Sequence, residues 1–211
     1  MKARANLPGL LARELGRKSG VIGLGTVTDP YQPVEAEMRL TERCLREIVR
    51  RDAPLSVLTK SDLVVRDAGL ISKLSRGEVG ITITTVVDDL ASAFEPRAPC
   101  PSRRIEALRR LNSEGVETFA LIGPMIPGVT DRNLEDLLAR IASAGTGRIM
   151  LDRLRLRPGM AEKIRSLPLL SDSKFKERFE EAIASTSYAT AVEACIREIG
   201  KAEGLSVVSA F

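Results

Sequence analysis

One repeated unit constrains this chain more than any other feature: a short apolar run, ending in polar or Gly/Pro residues, followed by an amphipathic helical pattern. Runs at residues 21–27, 55–58, 79–87, 118–126 and 148–156 read as strands rich in Val, Ile, Leu and Thr. Strands that alternate with helices at a spacing of about 25–35 residues build βαβ units, and such units make a parallel sheet. Right-handed crossovers then place every C-terminal strand tip on one face. The predicted class is α/β, a partial parallel (β/α) barrel with five strands. An open edge of parallel sheet is normally covered or continued, so that count predicts an incomplete barrel.

The intervening segments fit this frame. Residues 7–18 predict a helix with Leu10, Leu11 and Leu15 on one face. Pro33 opens a helix that runs from near Glu35 to Arg51 and buries Met38, Leu45, Ile48 and Val49, with Cys44 on or beside that face. A short helix is expected at 67–74, and a loop with a helical turn at 88–101. Ser102 is expected to cap a helix through Asn112, and Thr130 or Asp131 to cap one through Ala144. The segments 172–184 and 189–202 read as helical, with the last residues loose. The predicted organisation is an incomplete barrel over residues 1–158 and a C-terminal helical extension over 159–211, packed on the barrel.

Composition removes several chemistries. The chain contains no histidine, which excludes Ser-His and Cys-His nucleophile pairs, most zinc sites and the usual general base. Its three cysteines, Cys44, Cys100 and Cys195, lie far apart without CxxC-type spacing, which suggests a reducing, cytoplasmic setting. Aromatic residues make up 3% of the chain, too few for a base-stacking platform. A net charge of +4, spread along the chain, only weakly favours nucleic acid or other anions. No apolar run approaches a membrane span, so no membrane partner is expected.

The strand tips carry the polar groups. They supply Thr28 and Asp29; Thr59, Lys60 and Ser61; Thr84 and Thr85; Gly123, Pro124 and Met125; and Arg155 with Arg157. The loop after the third strand adds Glu95, Pro96 and Arg97. In β/α folds the tip face is where ligands bind. Hydroxyls, one amine and several guanidiniums suit a small polar ligand with a carboxylate or ribose, Lys60 and an arginine pairing the anion. A lone lysine at a strand end otherwise reads as surface charge, and Asp29 before Pro30 reads equally as a turn-former. Gly23-x-Gly25 lies inside a strand and lacks the third glycine and following helix of a dinucleotide loop. Arg50-Arg51, Arg103-Arg104 and Arg109-Arg110 read as solvated helix faces, phosphate binding being the lesser alternative.

The series T-V-T-D-P-Y-Q-P-V-E, L-T-K-S-D-L-V-V-R-D, I-T-I-T-T, E-P-R-A-P and G-P-M-I-P-G-V-T-D resembles the radical S-adenosylmethionine superfamily. The resemblance points to the branch of DNA-repair-photolyase-like proteins related to spore photoproduct lyase, and covers residues 2–158. It implies a partial (β/α)6 barrel that binds a four-iron four-sulfur cluster and S-adenosylmethionine at the strand tips. Members cleave the latter reductively to a 5′-deoxyadenosyl radical. By position, Thr28 resembles the hydroxyl residue contacting the methionyl moiety, Lys60 the lysine near its carboxylate, and Thr82 a serine of relatives. Glu95, Arg103 with Arg104, and the tip from Gly123 to Gly128 would complete the pocket.

Two departures qualify the resemblance. The family's CxxxCxxC cluster motif follows its first barrel strand, upstream of the part resembled here, and no cysteine trio in this chain replaces it. The expectation is therefore five strands of six, with the cluster supplied by a missing N-terminal segment or a partner chain; nucleic acid enters as a partner by family analogy. The alternative is a cluster-free protein that binds S-adenosylmethionine or a nucleotide without radical chemistry. Spore photoproduct lyases also carry a hydrogen-donating cysteine two residues before the Thr28 position, where this chain has Thr26. A hydroxyl O–H is too strong to replace a thiol in hydrogen-atom transfer, which argues against repair of spore photoproduct itself.

Overall fold

Six strands follow one another in chain order across a single sheet, and every neighbouring pair is parallel. They are β1 (Ile22–Leu24), β2 (Leu55–Thr59), β3 (Gly77–Thr82), β4 (Glu117–Met125), β5 (Arg148–Arg153) and β6 (Ser206–Ser209) in this computed structural model, which describes residues 4–156, 159–167, 173–184 and 187–210. The helices are α1 (Leu7–Glu14), α2 (Glu35–Met38), α3 (Leu40–Arg50), α4 (Ala68–Ile71), α5 (Asp88–Phe94), α6 (Pro101–Ser113), α7 (Leu134–Ser143), α8 (Met160–Arg165), α9 (Ser173–Ala184) and α10 (Ser187–Ala202). The sheet is an open (β/α) barrel wall, with β1 and β6 as its edges.

The count is one more than the sequence predicts. The tail expected to be loose forms β6, whose Ser206–Ser209 register lies beside Arg148–Leu151 of β5. Its four residues are too short and too mixed to read as a buried run, and they gain a partner only through tertiary contact. A network holds this edge: Glu193 of α10 accepts from Arg153 at 2.8 Å, Arg197 at 2.8 Å and Ser209 at 3.0 Å. The three donors hold the Glu193 carboxyl down at about 2, burial opposing them.

The period-2 alternation of the strands decides what packs where. On one face Val57, Val79, Ile81, Ala120, Ile122, Ile149 and Leu151 are buried in a single cluster. Leu45 and Ile48 of α3, Ile105, Leu108 and Leu111 of α6, Leu137 and Ile141 of α7, and Ile196 of α10 join that cluster. On the other face, near the strand starts, Ser56 donates to Glu78 at 2.7 Å. Arg148 pairs with the same carboxylate and lies 5.0 Å from the centre of the Phe119 ring. Open space lies along the β1 edge, in a cleft of about 690 Å³, and at the strand starts, in one of about 490 Å³ bordered by Glu78, Glu117 and Arg148, whereas only about 10 Å³ is open among Thr84, Glu95 and Arg104 at the tips.

Several boundaries move for identifiable reasons. The predicted strand 21–27 shrinks to Ile22–Leu24, because Gly25 turns away at φ +103° and leaves Val27 93% exposed. The single helix from Glu35 to Arg51 is two helices separated by left-handed Arg39, φ +46°, which carries Met38 out of the core to 40% exposure. The 67–74 helix begins earlier, as a 3-10 turn over Asp62–Asp67. The loop 88–101 holds a true helix, α5. Cys100, not Ser102, is the cap residue of α6, with Pro101 in the first helical position. Asp172, Arg157 and residues 1–3, named in the sequence reading, lie outside the described residues.

Candidate functional site

The site starts from the loop that leaves β1. Its chain passes so close to β2 that a Cβ on Gly25 would lie 1.9 Å from the Leu58 carbonyl oxygen. Four residues on, the Asp29 carboxylate accepts from the Tyr31 N–H at 2.8 Å, the Thr59 hydroxyl at 2.6 Å and the Lys60 N–H at 2.8 Å. The first contact is the Asx turn expected of Asp before Pro. The other two latch the loop to the tip of β2. Both Asp29 oxygens are thereby engaged, which favours the turn-former reading over direct ligand contact.

Beneath this loop is a polar network that the sequence reading missed. The Tyr31 side chain is buried and donates to Asp67 at 3.1 Å. Burial first, and the neighbouring Asp67 charge second, push the Tyr31 phenol far above its ordinary range, so it remains a donor. Arg66 donates to Asp67 at 2.9 and 2.8 Å and reaches the Glu35 carboxylate at 3.0 Å. Glu35 in turn accepts from the N–H groups of Leu40 and Thr41, the first turn of α3. The signals were an Arg-Asp pair after the apolar residues Leu63 to Val65, and one of only two tyrosines.

Lys60, Glu95 and Arg104 form the charged centre. Glu95 bridges two cations: Lys60 Nζ lies 2.5 Å from one oxygen and Arg104 Nη2 lies 2.6 Å from the other. Arg104 is 1% exposed; its Nε donates to the Pro99 carbonyl at 2.7 Å and its Nη1 to the Thr82 carbonyl at 3.0 Å. The Nη2 contact is short yet misses hydrogen-bond geometry, so it acts as an ion pair. Two cations around one carboxylate leave a local charge of +1. Lys60, 39% exposed at its side chain, has ammonium protons beyond the one directed at Glu95.

This cluster has a pH signature. Burial would raise the Glu95 carboxyl, but Lys60 and Arg104 outweigh it and hold the group below its ordinary 4.5. A depressed carboxyl stabilises the fold fully above its unfolded value and loses that contribution as pH falls through the folded value. Chemical denaturation should therefore show a Glu95 contribution that is flat from neutral pH down to 4.5 and disappears below it. Glu95→Gln should remove that acid-side loss; an unchanged profile in the variant would contradict the assignment.

The other expected positions divide. Thr84 donates to the Gly123 carbonyl at 3.4 Å, joining the tips of β3 and β4. A Cβ on Gly123 would lie 2.6 Å from Asp152 Cβ, so glycine there permits close approach of β5. The Ser61 hydroxyl accepts from the Leu63 N–H at 3.3 Å and caps the Asp62–Asp67 turn. Thr82 is buried and offers its carbonyl to Arg104. Met125, 1% exposed, belongs to the core and not to a ligand surface. Arg103 pairs with Asp62 at 2.5 Å on the surface. Thr28 is exposed and lines, with Asp29, an apolar cleft of about 690 Å³ along β1.

The cysteines do not gather. Cys44 is buried on α3, its thiol pushed up to about 11 by burial and then Glu35. Cys100 precedes α6 and Cys195 is exposed on α10. Among the described residues no group of three or more His, Cys, Asp or Glu side chains could hold a metal ion. A four-iron four-sulfur cluster, which needs several thiolates on one centre, does not fit these residues. Among the described residues no helix is long and apolar enough to cross a membrane.

Comparison with known proteins bears on the fold and the family. An uncharacterized protein of Methanocaldococcus jannaschii is 41% identical over 128 residues, covering 61% of this chain and 48% of its own. An uncharacterized protein of Mycobacterium tuberculosis is 31% identical over 162 residues, covering 73% of this chain and 48% of its own. The chain thus spans about half the length of these relatives. Among solved structures, spore photoproduct lyase complexed with dinucleoside spore photoproduct superposes with a TM-score of 0.69 at 13% identity, over 98% of this chain and 65% of that one. Streptococcus suis SuiB bound to S-adenosylmethionine gives 0.64 at 12% identity, over 100% of this chain and 44% of that one. The model of the Radical SAM superfamily matches residues 9–141, and the chain belongs to that superfamily.

Proposed function

We propose that the strand tips hold S-adenosylmethionine, with its methionyl end at Lys60 and Glu95. The carrying observation is the Glu95 carboxylate set between Lys60 and Arg104 at 2.5 and 2.6 Å. An amino acid end group is a zwitterion. Lys60 offers free ammonium protons to its carboxylate, while Glu95 offers a carboxylate to its ammonium. In this reading the exposed Thr28, on the cleft along β1, adds a hydroxyl, while Thr84 holds the Gly123 tip through its carbonyl. Arg104 and Asp29 act behind the surface, fixing Glu95 and the β2 tip.

Titration calorimetry on the purified chain tests this reading. Micromolar binding is expected, and Lys60→Ala should weaken it about 10–100-fold, the value of about 1.5–3 kcal/mol for a hydrogen bond to a charged group. Equal affinity in the variant would contradict the assignment.

Radical chemistry belongs, in this reading, to a longer protein or a complementing chain that carries cluster ligands, because the cysteines here do not fit the cluster. It would cleave S-adenosylmethionine to a 5′-deoxyadenosyl radical, as lyase-like members of the superfamily do. The same observation favours a second reading, a cluster-free S-adenosylmethionine or nucleotide binder. Titrations with and without reconstituted iron and sulfide in the longer protein separate the two. The unpaired cysteines fit a reducing, cytoplasmic setting.

Substrate choice is not carried by the fold. One structural neighbour is a lyase with a dinucleoside spore photoproduct, and another is bound to a precursor peptide. Nucleic acid remains the partner suggested by analogy. Thr26 speaks against repair of spore photoproduct itself, since it offers a hydroxyl where hydrogen transfer calls for a thiol.

A further inference from the structure

The face of the sheet turned away from the helices carries side chains that the proposed cofactor site does not use. Ile149 and Leu151 of β5 are buried with the helices, so Met150 and Asp152 stand on the opposite face. The same alternation sets Leu121 and Gly123 of β4 there, and Val208 of β6, whose neighbour Val207 packs against α10. Leu121 pairs in register with Met150, and Met150 with Val208. These apolar side chains lie side by side on adjacent strands, a shelf about 10 Å across. Leu121 and Met150 are half-buried, Val208 is 39% exposed, and none of them joins an apolar cluster among the described residues.

Asp152 stands at the rim of this shelf, one row nearer the tips. Gly123 makes room for it: a Cβ on that glycine would lie 2.6 Å from Asp152 Cβ. Glu78, lower on the same face, is paired with Ser56 and Arg148, and Glu95 above the tips with Lys60 and Arg104. Asp152 is half-buried and has neither a hydrogen bond nor an ion pair among the described residues. Arg153 turns the other way to Glu193, and the exposed Arg155 does not pair with Asp152. A carboxylate in this position, beside apolar surface and without a protein donor, favours a ligand that brings its own N–H groups.

We infer that the shelf of Leu121, Met150 and Val208 holds a planar ring of a second ligand, and that Asp152 accepts from N–H donors on the edge of that ring. The ligand class is a flat ring bearing an amino or amidine group. The shelf takes its face, and the carboxylate fixes its orientation. Asp152 lies three strands from Lys60, about 14 Å along the sheet, so this ligand sits beside the methionyl end of the cofactor and not upon it. The inference rests on the cofactor reading only in calling this ligand the second.

NMR of the whole chain with carbon-13-labelled methionine methyls tests this, with and without saturating S-adenosylmethionine. Met150 reports on the shelf, because a ring stacked there shifts its methyl resonance. The probes are benzamidine, a flat cation; cytidine, a neutral aminated ring; and benzoate, a flat anion. Benzamidine or cytidine should shift the Met150 methyl in the loaded chain, the better of the two giving the charge of the ligand, and benzoate should not. Asp152→Asn, which keeps the shape of the side chain, should weaken benzamidine at least about tenfold, as expected when a charged acceptor becomes neutral. Four results would overturn the inference: neither probe shifts Met150, benzoate binds as well as benzamidine, the Asn variant binds equally well, or S-adenosylmethionine alone shifts Met150 and excludes the probes. The last would put the cofactor's own ring on the shelf. Calorimetry with S-adenosylmethionine on the same samples reads the cofactor site separately. A chain that binds benzamidine at Met150 but no S-adenosylmethionine would overturn the cofactor reading and leave the shelf in place.

Discussion

Replacing Arg104 with methionine is expected to destabilise the fold by about 3–5 kcal/mol, the range for breaking a buried ion pair by removing one partner. The guanidinium is 1% exposed and serves three acceptors in different directions: the Pro99 carbonyl, the Thr82 carbonyl and Glu95. Methionine fills similar space but removes the donor from the buried Thr82 carbonyl, at about 1–3 kcal/mol, and from the half-buried Pro99 carbonyl. It also leaves Glu95, among the described residues, with Lys60 as its one remaining ion-pair partner. Arg104→Lys should not rescue the loss, because an ammonium on a single point cannot reproduce the planar fork. Urea denaturation should show a lower midpoint at unchanged slope. A change below about 1 kcal/mol, the range of exposed ion pairs, would mean that Arg104 is not the buried tie described above.

Gly25→Ala should be nearly as damaging, at about 2–5 kcal/mol when left-handed backbone strain and overpacking combine. At φ +103° an L side chain is strained in any surroundings. The added methyl would also lie 1.9 Å from the Leu58 oxygen and 2.9 Å from its carbon, backbone atoms that cannot rotate away. Relief requires β1 to lift from β2, which would pull Asp29 from Thr59 and Lys60 and disorganise the cation beside Glu95. The variant should therefore lose both thermal stability and S-adenosylmethionine affinity. Gly23→Ala, two residues earlier, would meet only the Thr26 methyl at 3.5 Å and should be close to neutral. Equal stability of the two variants would contradict this distinction.

The parallel α/β architecture was legible because helix and strand periods alternate cleanly along the chain, and β2 to β5 begin within two residues and end within five of their predicted limits. The tip residues Lys60 and Glu95 were legible from the motif resemblance, and the structure brings them into contact across 35 positions of sequence. What the sequence hid depends on tertiary contact. The short β6 acquires strand geometry only beside β5, and Arg39 takes a left-handed conformation that no local residue preference announces. Met125 carried the right motif position, yet its apolar side chain turned inward to the core. Arg104 read as half of a surface Arg-Arg pair from the helix pattern and as a pocket residue from the resemblance, since sequence alone does not reveal which arginine of the two the helix buries.

The central claim, that the strand tips take the methionyl end of S-adenosylmethionine, is tested most directly by a hydrogen-exchange footprint. Mass spectrometry on the purified chain, with and without saturating S-adenosylmethionine, reads where the ligand lies. Exchange should slow in peptides spanning residues 28–32, 59–63 and 94–104, which contain Asp29, Lys60 and Glu95 with Arg104. It should not change at the floor, around Ser56, Glu78 and Arg148. Lys60→Ala, at a ligand concentration that just saturates the parent chain, should markedly shrink the footprint. Protection confined to the floor, or a tip footprint unaltered by Lys60→Ala, would contradict the account.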